Sequence, residues 1–118
     1  VPMNRAAFVW EHVVYFDSDD YSINEKELGR LDEFIKQLPE RIFSPIKIEG
    51  HTDTDASLEY NLILSQNRAR VVEEKIVSAG FKNVYLSWSG EEKIINTDKS
   101  KEEKALNRRV EIQISSHE

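Results

Sequence analysis

The chain has 118 residues, no cysteine, and 16 Lys+Arg against 22 Asp+Glu, for a net charge of −6. That length carries one two-layer domain and leaves no room for a separate catalytic one. The acidic balance argues against nucleic acid and anionic lipid as partners, and the missing cysteines exclude disulfides, thiolate zinc sites and thiol nucleophiles.

Residues 9–16 (VWEHVVYF) are rich in β-branched and aromatic side chains and predict a first strand, stopped by the acidic turn Asp17-Ser18-Asp19-Asp20. Ser22 and Glu25 have capping-box spacing, and Leu28, Leu31, Phe34, Ile35 and Leu38 recur at helical spacing, so a helix is predicted over 24–38, closed by Pro39. Pro45 precedes an alternating strand, Ile46-Lys47-Ile48-Glu49. The polar segment 50–57 leads into the longest helix, with Leu58, Leu62, Ala69, Val72 and Ile76 as its expected core stripe and Gly80 as a left-handed stop. Val84, Leu86 and Trp88 alternate in a third strand, and Val110, Ile112 and Ile114 in a last one. Between them, 90–104 is polar, with one helical turn near 101–106.

The order is βαβαβ, a long loop, then β. Each of the two main helices has a single apolar stripe, so both must cover one face of a four-stranded sheet: an α+β two-layer sandwich. The second βαβ unit should form a parallel pair, and the last strand should enter antiparallel. No apolar run approaches the ~20 residues that span a bilayer. Val1-Pro2-Met3 carries neither an initiator methionine nor a signal-peptide core, so residues 1–118 are expected to be a single domain, core 10–115, excised from a larger anchored protein.

The informative segment is Gly50-His51-Thr52-Asp53-Thr54-Asp55, which places carboxylates at the mouth of a sheet beside a helix start. Asn61 and Arg68 stand seven residues apart on that helix, within about 20° of alignment, beside the apolar stripe. A guanidinium partly walled by packing pairs strongly with a carboxylate. A loop aspartate and an arginine on the next helix more often form an internal salt bridge than a ligand site, and spacing alone leaves both readings open. His51 reads as a hydrogen-bonded structural residue rather than a catalyst. Asp17, Asp19 and Asp20 read as turn and capping residues, because EF-hand spacing and its closing Glu are absent. The 101–104 charge run reads as solvated surface. The three histidines, His12, His51 and His117, form no HExxH pair, and no GxSxG setting occurs. Neither catalysis, a metal nor a cofactor is expected.

The same residues spell a longer pattern. Gly50-His51-Thr52-Asp53, Tyr60-Asn61, Leu64-Ser65 and Arg68-Ala69 give GHTD-x6-YN-x2-LS-x2-RA, and Asn107 to Ile112 read NRRVEI. Val14-Tyr15-Phe16-Asp17 looks like an opening strand. Over residues 10–115 the chain resembles the OmpA-like C-terminal domain shared by outer-membrane porin-type proteins, Pal-type lipoproteins and MotB-type stator proteins. The resemblance implies a βαβαββ fold with a mixed sheet ordered 1-4-2-3, and non-covalent binding of peptidoglycan through the diaminopimelate of its stem peptide. It implies that Asp53 pairs with an ammonium of that residue, that Arg68 pairs with its carboxylate, and that Asn61 adds a polar contact. It extends to Thr52, Asp19 and Arg108 as further contacts, with the loop 89–106 as rim of the site.

It further implies a non-enzymatic wall anchor in the periplasm, attached to the outer membrane, or less commonly the inner one, through a segment outside this chain. The domain itself would touch no membrane. Stator-type relatives dimerise, which leaves a homodimer open. Ala56 departs from the family, which commonly has glycine there; a positive φ would strain Ala56 or re-route the loop. Asp19 stands where relatives often have Asn, and Ile94 where they often have Pro. A module of the same fold that binds a protein instead of the wall is the alternative.

Overall fold

The computed structural model describes residues 8–115; Val1-Pro2-Met3 and His117 lie outside them. In chain order the elements are β1 (Phe8–Tyr15), α1 (Glu25–Lys36), β2 (Ile46–Gly50), α2 (Leu58–Ser78), β3 (Val84–Trp88), α3 (Lys101–Asn107) and β4 (Arg109–Ser115). One sheet holds all four strands in the order β1-β4-β2-β3. β4 runs antiparallel to both neighbours, and β2 and β3 are parallel, as expected of a βαβ unit. No helix among the described residues is long and apolar enough to cross a membrane.

Alternation places Val14, Ile46, Ile48, Val110, Ile112 and Ile114 on one sheet face, against Leu31 and Leu38 from the α1 segment and Ala69, Val72 and Ile76 of α2. These side chains are all but excluded from solvent, and their apolar area supplies the main stabilising term, at ~25 cal/mol per Å² removed from water. The opposite sheet face carries Lys47, Glu49, Glu111 and Gln113 in paired register.

Expectations for both main helices need correction. The cap of α1 is Asn24, whose side chain accepts from Glu27 N at 2.9 Å, while Ser22 N and Oγ donate to Asp20. In α2, Leu58 and Leu62 are exposed; the inward face of its first half is Asn61, Leu64, Ser65 and Arg68. That half overhangs the end of the sheet, where polar side chains find backbone partners and apolar ones would meet loops. The stop at Gly80 holds, with φ +106°. Gly80 N donates to Val77 O and Phe81 N to Ile76 O, the paired bonds of a Schellman motif.

The predicted turn near 101–106 is α3, with a full capping box between Ser100 and Glu103. The charge run is more than solvated surface. Lys104 Nζ lies 3.0 Å from Asp55 Oδ1 and 3.1 Å from Asp98 Oδ2, tying α3 to the loop before α2.

Candidate functional site

Three segments meet at the C-terminal end of β2: the turn after β1, the loop 51–57 and the first half of α2. Ser57 caps α2 by accepting from Tyr60 N at 3.1 Å. The loop is braced from behind. Asp98 accepts from Thr54 N at 2.9 Å and from its hydroxyl, and from Asn107 Nδ2 at 2.6 Å. Burial pushes the Asp98 carboxyl up, but the Thr54, Asn107 and Lys104 donors outweigh it and hold its pKa at about 2.

These segments enclose a cavity of about 470 Å³ lined by Asp19, Asp53, Tyr60, Asn61, Leu64 and Arg68, together with the Ser18 and 55–57 rim. Arg68 is fully buried. Its Nε donates to Asp20 O at 2.8 Å, Nη1 to His51 O at 3.1 Å and Nη2 to Asp17 O at 3.0 Å, and its guanidinium lies 5.3 Å from the Phe16 ring centroid. Burial lowers its pKa to about 10, with Asp53 pulling upward and Arg108 downward, so it stays charged at neutral pH. Asp53 does not close on Arg68: Oδ1 accepts from Asp55 N at 3.1 Å, and Oδ2 lies 3.4 Å from Arg108 Nη1. The internal Asp53–Arg68 bridge left open by spacing is therefore not the arrangement found. Each charge is held by other groups and faces the same cavity.

Of the six residues singled out in the sequence, Asp53, Arg68, Asn61 and Asp19 line this cavity. Asn61 Nδ2 donates to Asp55 O and Glu91 Oε1, both at 2.7 Å, so it also fastens the loop. Thr52 is buried behind the cavity, its hydroxyl donating to Asp53 O at 2.8 Å. Arg108 borders a neighbouring depression, with Nε on Phe16 O, and reaches the site through Asp53. Loop 89–106 supplies no lining residue; it supports Asn61 and Thr54 from outside, so the expected rim is a brace.

Sequence reasoning gave Tyr60 no role. Its hydroxyl donates to Asp19 Oδ1 beside the cavity, which raises the phenol pKa. Its place beside Asn61, one turn past the cap, was the available signal. The hydrogen bonding expected of His51 is weak: neither ring nitrogen has a partner at hydrogen-bond distance among the described residues, and Nε2 stands 3.7 Å from Glu49 Oε1 and from Glu111 Oε1, near enough to help hold the Glu111 carboxyl down at about 2.

Ala56 has φ +75°, so the loop keeps the left-handed path that glycine favours and Ala56 carries the strain. A left-handed non-glycine residue costs roughly 1–2 kcal/mol, and glycine's extra unfolded-state freedom offsets 0.5–1 of that. Ala56→Gly is thus expected to raise stability by about 0.5–1 kcal/mol, seen as a higher urea midpoint. An unchanged or lower midpoint would show that no strain is stored there.

Comparison with known proteins places the chain among relatives. The model of the OmpA family matches residues 15–108. The chain is 32% identical over 111 residues to outer membrane protein A of Bordetella avium, covering 92% of this chain and 57% of that protein. It is 31% identical over 100 residues to the peptidoglycan-associated lipoprotein of Pseudomonas putida, covering 83% of this chain and 60% of that one. The crystal structure of the peptidoglycan-associated lipoprotein from Burkholderia pseudomallei superposes with a TM-score of 0.74 at 29% identity, over 88% of this chain and 89% of that chain. The chain spans less than two thirds of the length of the Bordetella avium and Pseudomonas putida proteins.

Proposed function

This chain belongs to the OmpA family, and on that premise we propose that it binds peptidoglycan without turning it over, gripping the diaminopimelate of the stem peptide in the cavity between Asp53 and Arg68. The observation that carries this is a buried anion and a buried cation facing one cavity while each is held by other partners. The free end of diaminopimelate bears an amine and a carboxylate on one carbon. Asp53 takes the ammonium. Arg68, with three of its five N–H groups on carbonyls, offers the remaining two to the carboxylate. Asn61, Asp19 and Tyr60 shape the wall around them, while Thr52 and Arg108 hold Asp53 in place.

The names of the relatives support the reading, one being an outer membrane protein and two peptidoglycan-associated lipoproteins. By extension the chain is a periplasmic anchor tying an envelope component to the wall. The protein-interaction alternative is motivated by Ala56 and by the changed rim loop 89–106; Ala56 at φ +75° keeps the path that glycine favours, which speaks against the first of these motives.

Lysine-type stem peptide lacks the carboxylate and would leave the Arg68 donors unpaired. An unpaired buried polar group costs about 1–3 kcal/mol, or roughly tenfold to a hundredfold in affinity. Titration of diaminopimelate-type and lysine-type muropeptides, followed by amide and guanidinium NMR, tests this. Asp53→Asn keeps the shape and removes the charge, and is expected to weaken diaminopimelate binding by at least about tenfold. Equal affinity for both peptides, or full binding by a folded Asp53→Asn variant, would overturn the reading.

A further inference from the structure

The antiparallel register of β2 and β4 sets Glu49 directly opposite Glu111 on the sheet face away from the helices. Like charges in that position repel, so the pairing needs a cation or a donor between them. Lys93 Nζ and the Ser89 hydroxyl engage Glu49 Oε2, and Arg109 Nε engages Glu111 Oε2 at 2.8 Å. The other oxygen of each carboxylate, Oε1, points instead toward His51 Nε2, at 3.7 Å from Glu49 and 3.7 Å from Glu111. Both separations are too long for hydrogen bonds. His51 is only 1% exposed, and its ring nitrogens have no hydrogen-bond partner among the described residues, which is unfavourable for buried polar atoms.

We propose that Glu49 Oε1, His51 Nε2 and Glu111 Oε1 are the protein ligands of a divalent transition cation, of which Zn²⁺ is the type. All three atoms lie within 4.8 Å of one another. Ligands about 2.0–2.1 Å from a tetrahedral zinc stand about 3.3–3.4 Å apart, so the two imidazole–carboxylate gaps of 3.7 Å close by a few tenths of an ångström around the ion, and the carboxylate oxygens move together by up to about 1.4 Å. One imidazole and two carboxylates suit zinc-class metals, whereas Mg²⁺ and Ca²⁺ prefer all-oxygen shells. Ser89, Lys93 and Arg109 play the part outer hydrogen bonds play around metal sites: they fix each carboxylate through the oxygen that does not ligate. The site is separate from the cavity described above and does not depend on what that cavity binds. It adjoins it through one residue, because the His51 carbonyl accepts from Arg68 Nη1.

The test is calorimetric titration of the EDTA-stripped, untagged chain with ZnCl₂, with imidazole NMR in parallel. A single Zn²⁺ per chain is expected, shifting the ring resonances of His51 and leaving those of His12 and His117 in place, while MgCl₂ gives no response. Glu49→Gln and Glu111→Gln keep the side-chain shape and remove the mutual repulsion, so both should fold. Each is expected to weaken zinc binding by at least about tenfold. Lys93→Ala, which removes the ammonium that fixes Glu49 through its non-ligating oxygen, is expected to weaken it as well. Absence of zinc-dependent shifts at His51, shifts centred on His12 or His117, or binding that survives the double Glu49→Gln/Glu111→Gln variant would each overturn the proposal.

Discussion

Arg68→Ala is expected to lose about 3 kcal/mol of folding stability together with all sedimentation on purified sacculi, a double effect that the sequence alone does not suggest. The resemblance makes Arg68 a ligand-binding residue, and a residue with that role alone could be removed without loss of the fold. The structure makes it a bracket as well. Its guanidinium is the shared partner of the carbonyls of Asp17, Asp20 and His51, so it ties the turn after β1 to the exit of β2. Asp17 O keeps the Asp20 amide at 3.2 Å, but alanine leaves the Asp20 and His51 carbonyls unpaired beside the cavity, each worth about 1–3 kcal/mol if dry and less where water from the cavity reaches it. It also removes the face that covers Phe16. Arg68→Lys separates the two roles. A lysine keeps the charge but is a point donor that cannot serve three diverging carbonyls, so stability should fall by a smaller amount while the forked contact to a carboxylate is lost. Urea unfolding reads the first effect and muropeptide titration of the folded fraction the second. If Arg68→Ala unfolds within about 1 kcal/mol of the unsubstituted chain, the bracket is not what holds the turn.

Much of this architecture was legible because alternation and helical spacing carry it. The β4 residues Val110, Ile112 and Ile114 alternate with Arg109, Glu111 and Gln113, and their fully buried and partly exposed states follow that order apart from Arg109. Arg109 is buried because its donors meet Glu111, Asn107 and Lys93. The first half of α2 was misread for a definite reason. A stripe is found by its apolar residues, and Leu58 and Leu62 offered one, but this half of the helix turns its polar side inward to wall a cavity. Asn61, Ser65 and Arg68 lie inside and Leu62, one step of about 100° from Asn61, lies outside.

The Asp53 and Arg68 pair was found by motif, whereas three of their actual partners, Arg108 and the carbonyls of Asp17 and Asp20, come from segments far away in the chain. The convergence of Glu49, His51 and Glu111 was out of reach for the same reason. It depends on the register between β2 and β4, and no local spacing encodes a register between distant strands.

Gly50→Ala is expected to be at least as damaging to stability, at about 3 kcal/mol or more, though it deletes no contact. A methyl group at Gly50 would overlap the carbonyl oxygen of Ser65 and lie 2.9 Å from its carbonyl carbon. Both atoms belong to the backbone of α2, so no side-chain rotation can relieve the clash, and the helix must move off the sheet. The motion cannot stay local. Ser65 Oγ accepts from Gly90 N at 2.9 Å, and Gly50 O accepts from Ser89 N at 3.0 Å, so helix, strand and loop are fastened at this crossing. The cavity also starts one turn away, with Asn61 and Arg68 on α2 facing the loop that follows Gly50. The close approach that only glycine allows is therefore what brings the Arg68 guanidinium up to the His51 carbonyl.

Gly29→Ala is the matched control. It lies inside α1 with no atom within 4 Å of the added methyl, so the substitution should stabilise by about 0.5–1 kcal/mol through helix propensity. Opposite signs at the two glycines, read from urea midpoints, are the expected result, with weakened muropeptide binding for Gly50→Ala alone. A Gly50→Ala chain that keeps both its midpoint and its affinity would mean that α2 does not need to lie this close to β2 for the site to form.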